Sequence, residues 1–173
     1  MKLIIIDCDG VIDRRSETGA GGSRDTRAIE SSVAAVARLN HAGYRVALLA
    51  DLSAIARGQS DMATLNATHA RTISRIEEAG GRVDLVVFRP SAPESAAGAA
   101  AVLAELLERL QVPAPQALII GDSQRDVDAA QALGCPAILV LTGNGRRTLD
   151  AGQLPATTVV RVDLAAVAAE LAP

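Results

Sequence analysis

The chain has 173 residues, of which 49% are apolar and 1% aromatic, and its formal net charge at pH 7 is −3. A chain of this length buries roughly 70% of its extended surface on folding, which predicts one domain over residues 1–173. Because a nearly neutral chain with so few aromatic rings offers neither a broad basic face nor base-stacking platforms, we expect no nucleic-acid partner.

The cysteine and lysine counts are both low. Two cysteines far apart in sequence, Cys8 and Cys135, exclude a disulfide scaffold and a four-ligand zinc site. The apolar run at residues 3–6 is too short for a signal peptide or a membrane span, so we expect a cytoplasmic protein with no membrane partner. Of the 17 lysines and arginines, one is a lysine, Lys2.

Short apolar runs alternate along the chain with longer segments of helical periodicity. In chain order they predict strand 3–6, helix 25–42, strand 46–50, helix 61–79, strand 83–88, helix 95–110, strand 117–120, helix 126–133, strand 137–141, strand 157–162 and helix 164–171. Continuously apolar strands that alternate with helices indicate an α/β fold: a Rossmann-like, three-layer α/β/α arrangement with a parallel sheet and no large cap domain. The glycine-containing stretch 14–23 is predicted to be flexible.

Carboxylates follow the first predicted strand, at the edge where parallel sheets place their sites. Asp7 and Asp9 belong to the segment Asp-Cys-Asp-Gly-Val. Two carboxylates this close raise one pKa unless a cation neutralises them, and Mg²⁺ takes such oxygen ligands. The structural alternative is that Asp7 caps a turn and that Asp9-Gly10 is an ordinary turn dipeptide.

A second acidic pair follows the fourth predicted strand. Asp122 and Asp126 lie four residues apart at the start of a predicted helix and can share one of its faces. Capping of that helix is the alternative role, since aspartate is favoured at helix N-termini. In a parallel sheet both acidic pairs lie at the same edge, and their convergence predicts a metal site.

The two acidic segments together resemble the motifs of the haloacid dehalogenase-like superfamily, a resemblance that covers nearly the whole chain. Two further segments narrow this resemblance to one group of the superfamily: Ala-Gly-Tyr-Arg-Val at 42–46 and Ser-Ala-Ile-Ala-Arg-Gly at 53–58. In this order, they look like the D-glycero-D-manno-heptose 1,7-bisphosphate 7-phosphatase group.

The resemblance implies a Mg²⁺-dependent phosphatase that acts on a small phosphorylated sugar. Asp7 is then the nucleophile that forms an aspartyl-phosphate, and Asp9 is the general acid and base. The metal is expected on the Asp7 carboxylate, the Asp9 carbonyl and Asp122, with Asp126 in support.

The chain departs from this family at the residues that bind phosphate. Ala50 stands at the position of the family's Ser or Thr, and Ala97 at that of its lysine, which Lys2 cannot replace from the wrong end of the first strand. Asp51, where the family has Asn, either repels an anionic substrate or caps the following segment. Arg89-Pro90-Ser91 replaces a zinc-binding Cys-Pro-His, so we expect no zinc.

Three residues are predicted to bind the substrate in place of the missing donors: Ser53, Arg57 and Arg89. Two hypotheses follow. The chain is a phosphatase with weakened or altered activity, or it is a catalytically degenerate paralogue that serves as a binding or regulatory protein. Cys8 is expected to fill space, and His41 and His69 are expected to face solvent.

Overall fold

A computed structural model describes residues 2–15, 26–89 and 96–173. Its strands are β1 (Leu3–Asp7), β2 (Asp13–Arg15), β3 (Thr26–Ala28), β4 (Arg45–Asp51), β5 (Leu85–Arg89), β6 (Ala117–Gly121), β7 (Ala137–Val140) and β8 (Val159–Arg161). Its helices are α1 (Glu30–His41), α2 (Ser53–Ala56), α3 (Met62–Glu78), α4 (Ala96–Leu110), α5 (Gln124–Leu133), α6 (Gly145–Asp150) and α7 (Leu164–Leu171).

Six strands form one parallel sheet in the order β5-β4-β1-β6-β7-β8. The predicted α/β fold with a parallel sheet is therefore confirmed. β1 lies between β4 and β6, so its carboxyl end is flanked by Asp51 on one side and by the start of the α5 connection on the other. Asp51 is paired in register with Arg89 on the edge strand β5.

Two apolar layers cover the sheet, because successive residues of a strand point to opposite faces. On β1, Ile4 and Ile6 pack with α1, α3 and α7, whereas Leu3 and Ile5 pack with α4 and α5. With no tryptophan in the chain, small and branched aliphatic side chains fill both layers. Cys8 is buried in the first layer, as its predicted packing role requires.

The predicted helix start at residue 25 is wrong. Residues 26–28 form β3, which pairs antiparallel with β2, and α1 begins only at Glu30. The reason lies in backbone pairing across a sequence gap: the N–H of Ile29 donates to the carbonyl of Ile12 at 2.8 Å, so this segment is held extended. Of the stretch predicted to be flexible, Arg14 and Arg15 belong to β2, and residues 16–23 lie outside the described residues.

The short helix α2, directly after β4, is also absent from the sequence prediction, and β5 begins and ends later than expected. Elements in the described ranges belong to the sheet, its two helical layers, the β2–β3 pair, the short helices α2 and α6, or a 3₁₀ turn at Ala114–Gln116. In that part of the chain no helix has the length and apolar character that crossing a bilayer requires.

Lys2 lies before β1, with its ammonium 5.9 Å from the ring centre of Tyr44.

Candidate active site

Three buried aspartates converge at the carboxyl edge of the sheet. Asp7 ends β1, Asp122 follows β6, and Asp126 lies in the first turn of α5. One carboxylate oxygen from each lies within 4.8 Å of the other two. The predicted convergence of the two acidic pairs is thus confirmed for these three residues.

The surroundings of Asp7 perturb its carboxyl strongly. Burial raises its pKa well above the usual value, and the charges of Asp126, Asp122 and Asp9 raise it further, against a lowering effect of Arg89. Its Oδ1 atom is buried and accepts no hydrogen bond from any residue that the structure describes. An acceptor left in this state costs free energy, so the atom is poised to bind an incoming cation or electrophile.

Asp9 is half-buried and lies on the turn that follows β1. Its backbone forms an isolated bridge with Asp13, and the Gly10 N–H donates to the Asp13 carbonyl at 2.8 Å. This turn places the two predicted catalytic aspartates on one continuous segment at the strand end.

Asp122 is fixed by two glycines and a backbone donor. Its Oδ2 accepts the Asn144 N–H at 2.7 Å. A Cβ atom on Gly10 or on Gly143 would lie 2.1 Å from that same oxygen, and both glycines have positive φ, 85° and 55°. Only glycine tolerates this combination of backbone conformation and contact, so the two loops close tightly around the carboxylate.

Asp126 has a structural task as well as a place in the acidic cluster. Its Oδ2 accepts from the Ser123 N–H at 3.2 Å and from the Ser123 hydroxyl at 2.6 Å, at the start of α5. Its Oδ1 accepts from Nη1 of Arg89 at 2.6 Å. The capping role considered for Asp126 is therefore real, and it coexists with the position beside Asp7.

Arg89 is the one cation among the buried side chains of the described residues, with 1% of its surface exposed. Besides Asp126, its Nη2 lies 3.5 Å from Asp7 Oδ1 and 3.5 Å from Asp51 Oδ2. The contact to Asp7 is a long ion pair without hydrogen-bond geometry, which is consistent with the unpartnered Oδ1. Although burial lowers the pKa of Arg89, the surrounding carboxylates outweigh it and raise the pKa above the usual value.

Asp51 takes the capping role that its sequence position predicted as one alternative, and it also pairs with two arginines. Its Oδ1 accepts the Ser53 N–H at 2.5 Å, which caps the start of α2. Its Oδ2 forms ion pairs with Arg89 and Arg125. Burial favours a higher pKa for Asp51, but the hydrogen bonds of Ser53 and the charge of Arg125 outweigh it and lower the pKa.

The predicted substrate-binding residues have different surroundings. Ser53 is half-buried beside Asp51, and Ala50, at the family's hydroxyl position, is buried in the core. Arg57 is exposed after α2, where its Nε donates to Gln59 at 3.2 Å. Of the two arginines predicted to replace the family's lysine, Arg89 is therefore the one that the structure places against Asp7.

Two buried polar residues on α3 were missed by sequence reasoning. His69, expected to face solvent, is 7% exposed and lies against Phe88, with ring centres 5.9 Å apart. Thr72 donates to both carboxylate oxygens of Asp13, at 3.0 and 3.1 Å. The buried side of α3 carries His69, Thr72 and Ile76 at helical spacing. Because two of these three residues are polar, the apolar pattern of the sequence did not indicate that this side is buried.

The acidic cluster fits a hard divalent cation. Asp7, Asp122 and Asp126 bring three carboxylates to one place, and Arg89 contributes a single positive charge in return. The orphaned Oδ1 of Asp7 and the raised pKa of its carboxyl both indicate that positive charge is still missing. Carboxylate oxygens are the ligands that Mg²⁺ prefers.

Comparisons with known proteins agree with this geometry. Residues 97–167 match a family model described as HAD-hydrolase-like. The D-glycero-beta-D-manno-heptose-1,7-bisphosphate 7-phosphatase of Pseudomonas putida is 39% identical, with 99% of each chain covered.

Two crystal structures of related enzymes share the fold. The D,D-heptose 1,7-bisphosphate phosphatase of Bordetella bronchiseptica, complexed with magnesium and phosphate, superposes with a TM-score of 0.87 at 39% identity, over 99% of this chain and 98% of that one. The D,D-heptose 1,7-bisphosphate phosphatase of Burkholderia thailandensis superposes with a TM-score of 0.78 at 39% identity, over 98% and 97% of the two chains.

Proposed function

This chain belongs to the haloacid dehalogenase-like hydrolases, within their heptose-bisphosphatase group, and we propose that it hydrolyses a small sugar phosphate with altered activity. The observation that carries the proposal is the position of Arg89. Its buried guanidinium lies 3.5 Å from the Asp7 carboxylate, in a chain that has no lysine available for the family's phosphate-binding position.

The proposed reaction has two steps, both at phosphorus. An Asp7 carboxylate oxygen attacks phosphorus and forms an aspartyl-phosphate, while the ester P–O bond breaks and Asp9 gives its proton to the departing oxygen. Asp9 then takes a proton from water, which attacks phosphorus and displaces the Asp7 oxygen, so inorganic phosphate leaves and Asp7 is regenerated.

Three residues would hold Mg²⁺ in this proposal, with Asp126 in support: Asp7, Asp9 through its backbone carbonyl, and Asp122. When bound, Mg²⁺ would supply neutralising charge for the transferring phosphoryl group. Asp126, whose oxygens already accept from Ser123 and Arg89, would support the site more than supply its ligands.

Arg89 would orient the phosphoryl group, because a guanidinium presents several donors in a fixed plane. Removal of one preorganised donor commonly costs about 10²–10³ in rate. Ala50 supplies no hydroxyl and Ala97 no ammonium, so Arg89 must compensate for both if the chain is to turn over efficiently. We therefore expect slower turnover than in relatives that carry both donors.

A degenerate binding or regulatory protein is the second candidate. Asp51 favours it, since it adds a carboxylate where the family has Asn and engages the Arg89 guanidinium. The retained cluster of Asp7, Asp122 and Asp126 favours the enzyme, because converging buried carboxylates are costly without a cation to use them.

Phosphate release from a panel of sugar phosphates in Mg²⁺ separates the two candidates. Wild type is compared with Asp7→Asn and with Glu105→Gln, a surface control on α4 that also loses one negative charge. Activity that Asp7→Asn abolishes and Glu105→Gln retains supports the phosphatase. Wild-type release no faster than that of Asp7→Asn on every ester refutes it. Metal analysis belongs in the same experiment, since stoichiometric zinc would contradict the predicted absence of a zinc loop.

A further inference from the structure

The Asp51 carboxylate is anchored by a backbone hydrogen bond and contacts two arginines. It ends β4 directly beside Arg89 of β5, so the two side chains leave neighbouring strands at the same level. Its Oδ1 is fixed by the backbone N–H of Ser53 at 2.5 Å, which prevents free rotation of the carboxylate. Its Oδ2 faces Arg89 and Arg125 together.

Arg89 needs such an anchor because its strongest partner lies on one side only. Nη1 donates to Asp126 at 2.6 Å, and one hydrogen bond by itself does not define the plane of the guanidinium. The 3.5 Å contact of Nη2 with Asp51 fixes the second end of the group and leaves Nη2 equally 3.5 Å from Asp7. Two contacts define the plane of the guanidinium, and that plane decides how the group meets a phosphoryl oxygen.

Arg125 has an unusual position that Asp51 explains. It lies in the first turn of α5, where the helix dipole disfavours a positive side chain. Its guanidinium nevertheless contacts Asp51 closely, and 31% of the side chain is exposed. The pair neutralises the Asp51 carboxylate, so the repulsion of an anionic substrate expected from Asp51 is offset locally.

We propose that Asp51 is a positioning residue: anchored by Ser53 and neutralised by Arg125, it holds the Arg89 guanidinium in the orientation that receives a phosphoryl group on Asp7. The inference rests on the proposed phosphatase function and deepens it. Asp51, Arg89 and Arg125 together would then perform the task that a hydroxyl and a lysine perform in the family that the chain resembles.

A double-mutant cycle tests whether Asp51 acts through Arg89, using Asp51→Asn, Arg89→Met and the double variant. Misorientation of a positioned group costs about 10–100-fold, so we expect Asp51→Asn to lower kcat by that factor with little change in KM. In the Arg89→Met background the same change should cost less than about twofold, because an interaction that is already lost cannot be lost again. Effects that multiply would overturn the proposal.

Asp61→Asn is the matched control, because it removes the same charge from an exposed cap of α3 that asparagine can also fill. It should leave kcat and KM unchanged, and circular dichroism checks that every variant is folded. Substitution of Arg125 by Gln should raise KM for the phosphate ester, since the Asp51 charge is then uncompensated, and should have no such effect in Asp51→Asn.

Calorimetric titration with orthophosphate in Mg²⁺ separates this proposal from the phosphatase assignment. If wild type hydrolyses esters but Asp51→Asn matches it in kcat, the positioning role alone is refuted. If wild type hydrolyses no ester, the phosphatase assignment fails. The positioning role then requires that Asp51→Asn weaken orthophosphate binding at least about fivefold. The same substitution in the Arg89→Met background should leave orthophosphate binding unchanged. Unchanged binding in Asp51→Asn, or no binding by wild type, refutes it.

Discussion

Replacement of the buried carboxyl of Asp13 by the neutral amide of asparagine should stabilise this protein at neutral pH. Burial raises the pKa of Asp13 to about 6, the hydrogen bond from Thr72 lowers it, and the charges of Asp9 and Arg71 act in opposite directions. Asparagine is nearly the same size and retains an acceptor for the Thr72 hydroxyl, which donates at 3.0 Å.

The raised pKa determines the sign of the effect. Since the folded protein keeps this proton up to a higher pH than the unfolded chain does, unfolding releases a proton between pH 3.8 and about 6. The contribution of Asp13 to stability is thus present below pH 3.8 and is lost as the pH rises through about 6. At 1.36 kcal/mol per pKa unit the loss amounts to about 3 kcal/mol.

Urea unfolding followed by far-UV circular dichroism measures the effect, because the chain has no tryptophan for fluorescence. With EDTA present throughout, the free energy of unfolding of Asp13→Asn should match wild type near pH 4. Its advantage should then grow to at most about 3 kcal/mol at pH 7. A difference that does not change with pH, or that shrinks as the pH rises, would refute this account of Asp13.

Other substitutions test the proposed metal site and the core. Gly143→Ala places a methyl group 2.1 Å from Asp122 Oδ2, so the rise in Tm that Mg²⁺ gives wild type should disappear. An unchanged rise would contradict a Mg²⁺ site at Asp122. Leu103→Ala, on the buried side of α4, should cost about 2–5 kcal/mol in urea unfolding, and a loss below 1 kcal/mol would show that this layer is loosely packed. Ser32→Ala removes the 2.7 Å bond to the buried Val11 carbonyl and should cost about 1–3 kcal/mol by the same measurement, whereas no loss would mean that water replaces the hydroxyl.

The order of strands and helices was predictable because the signal for each is local. Apolar runs such as residues 3–6 and helix stops such as Gly43 are visible without knowing what packs on them. The pairing of residues 26–28 with β2 was not, because its backbone hydrogen bonds join segments separated by residues that have no strand pattern.

The site residues, too, were predictable where the signal is local or depends only on strand order, and not where it depends on packing. Asp7, Asp122 and Asp126 were found because parallel strands bring their ends to one edge, a rule that needs only strand order. The direction of a long side chain is not set by that rule, so Arg89 and Arg57 were both candidates in the sequence although Arg89 is buried and Arg57 is exposed. Arg125 gave no signal at all, since its relation to Asp51 exists only across 74 positions of the folded chain.

The position of Lys2 has a practical consequence. Its side chain provides the one lysine amine in the sequence, and it precedes β1, whereas Asp7 stands at the opposite end of the same strand. Five strand residues separate these ends by roughly 16 Å. Coupling of this amine to a biosensor surface or a fluorophore would therefore leave the carboxyl edge of the sheet facing solution, so immobilised protein should keep the same access to small ligands as free protein.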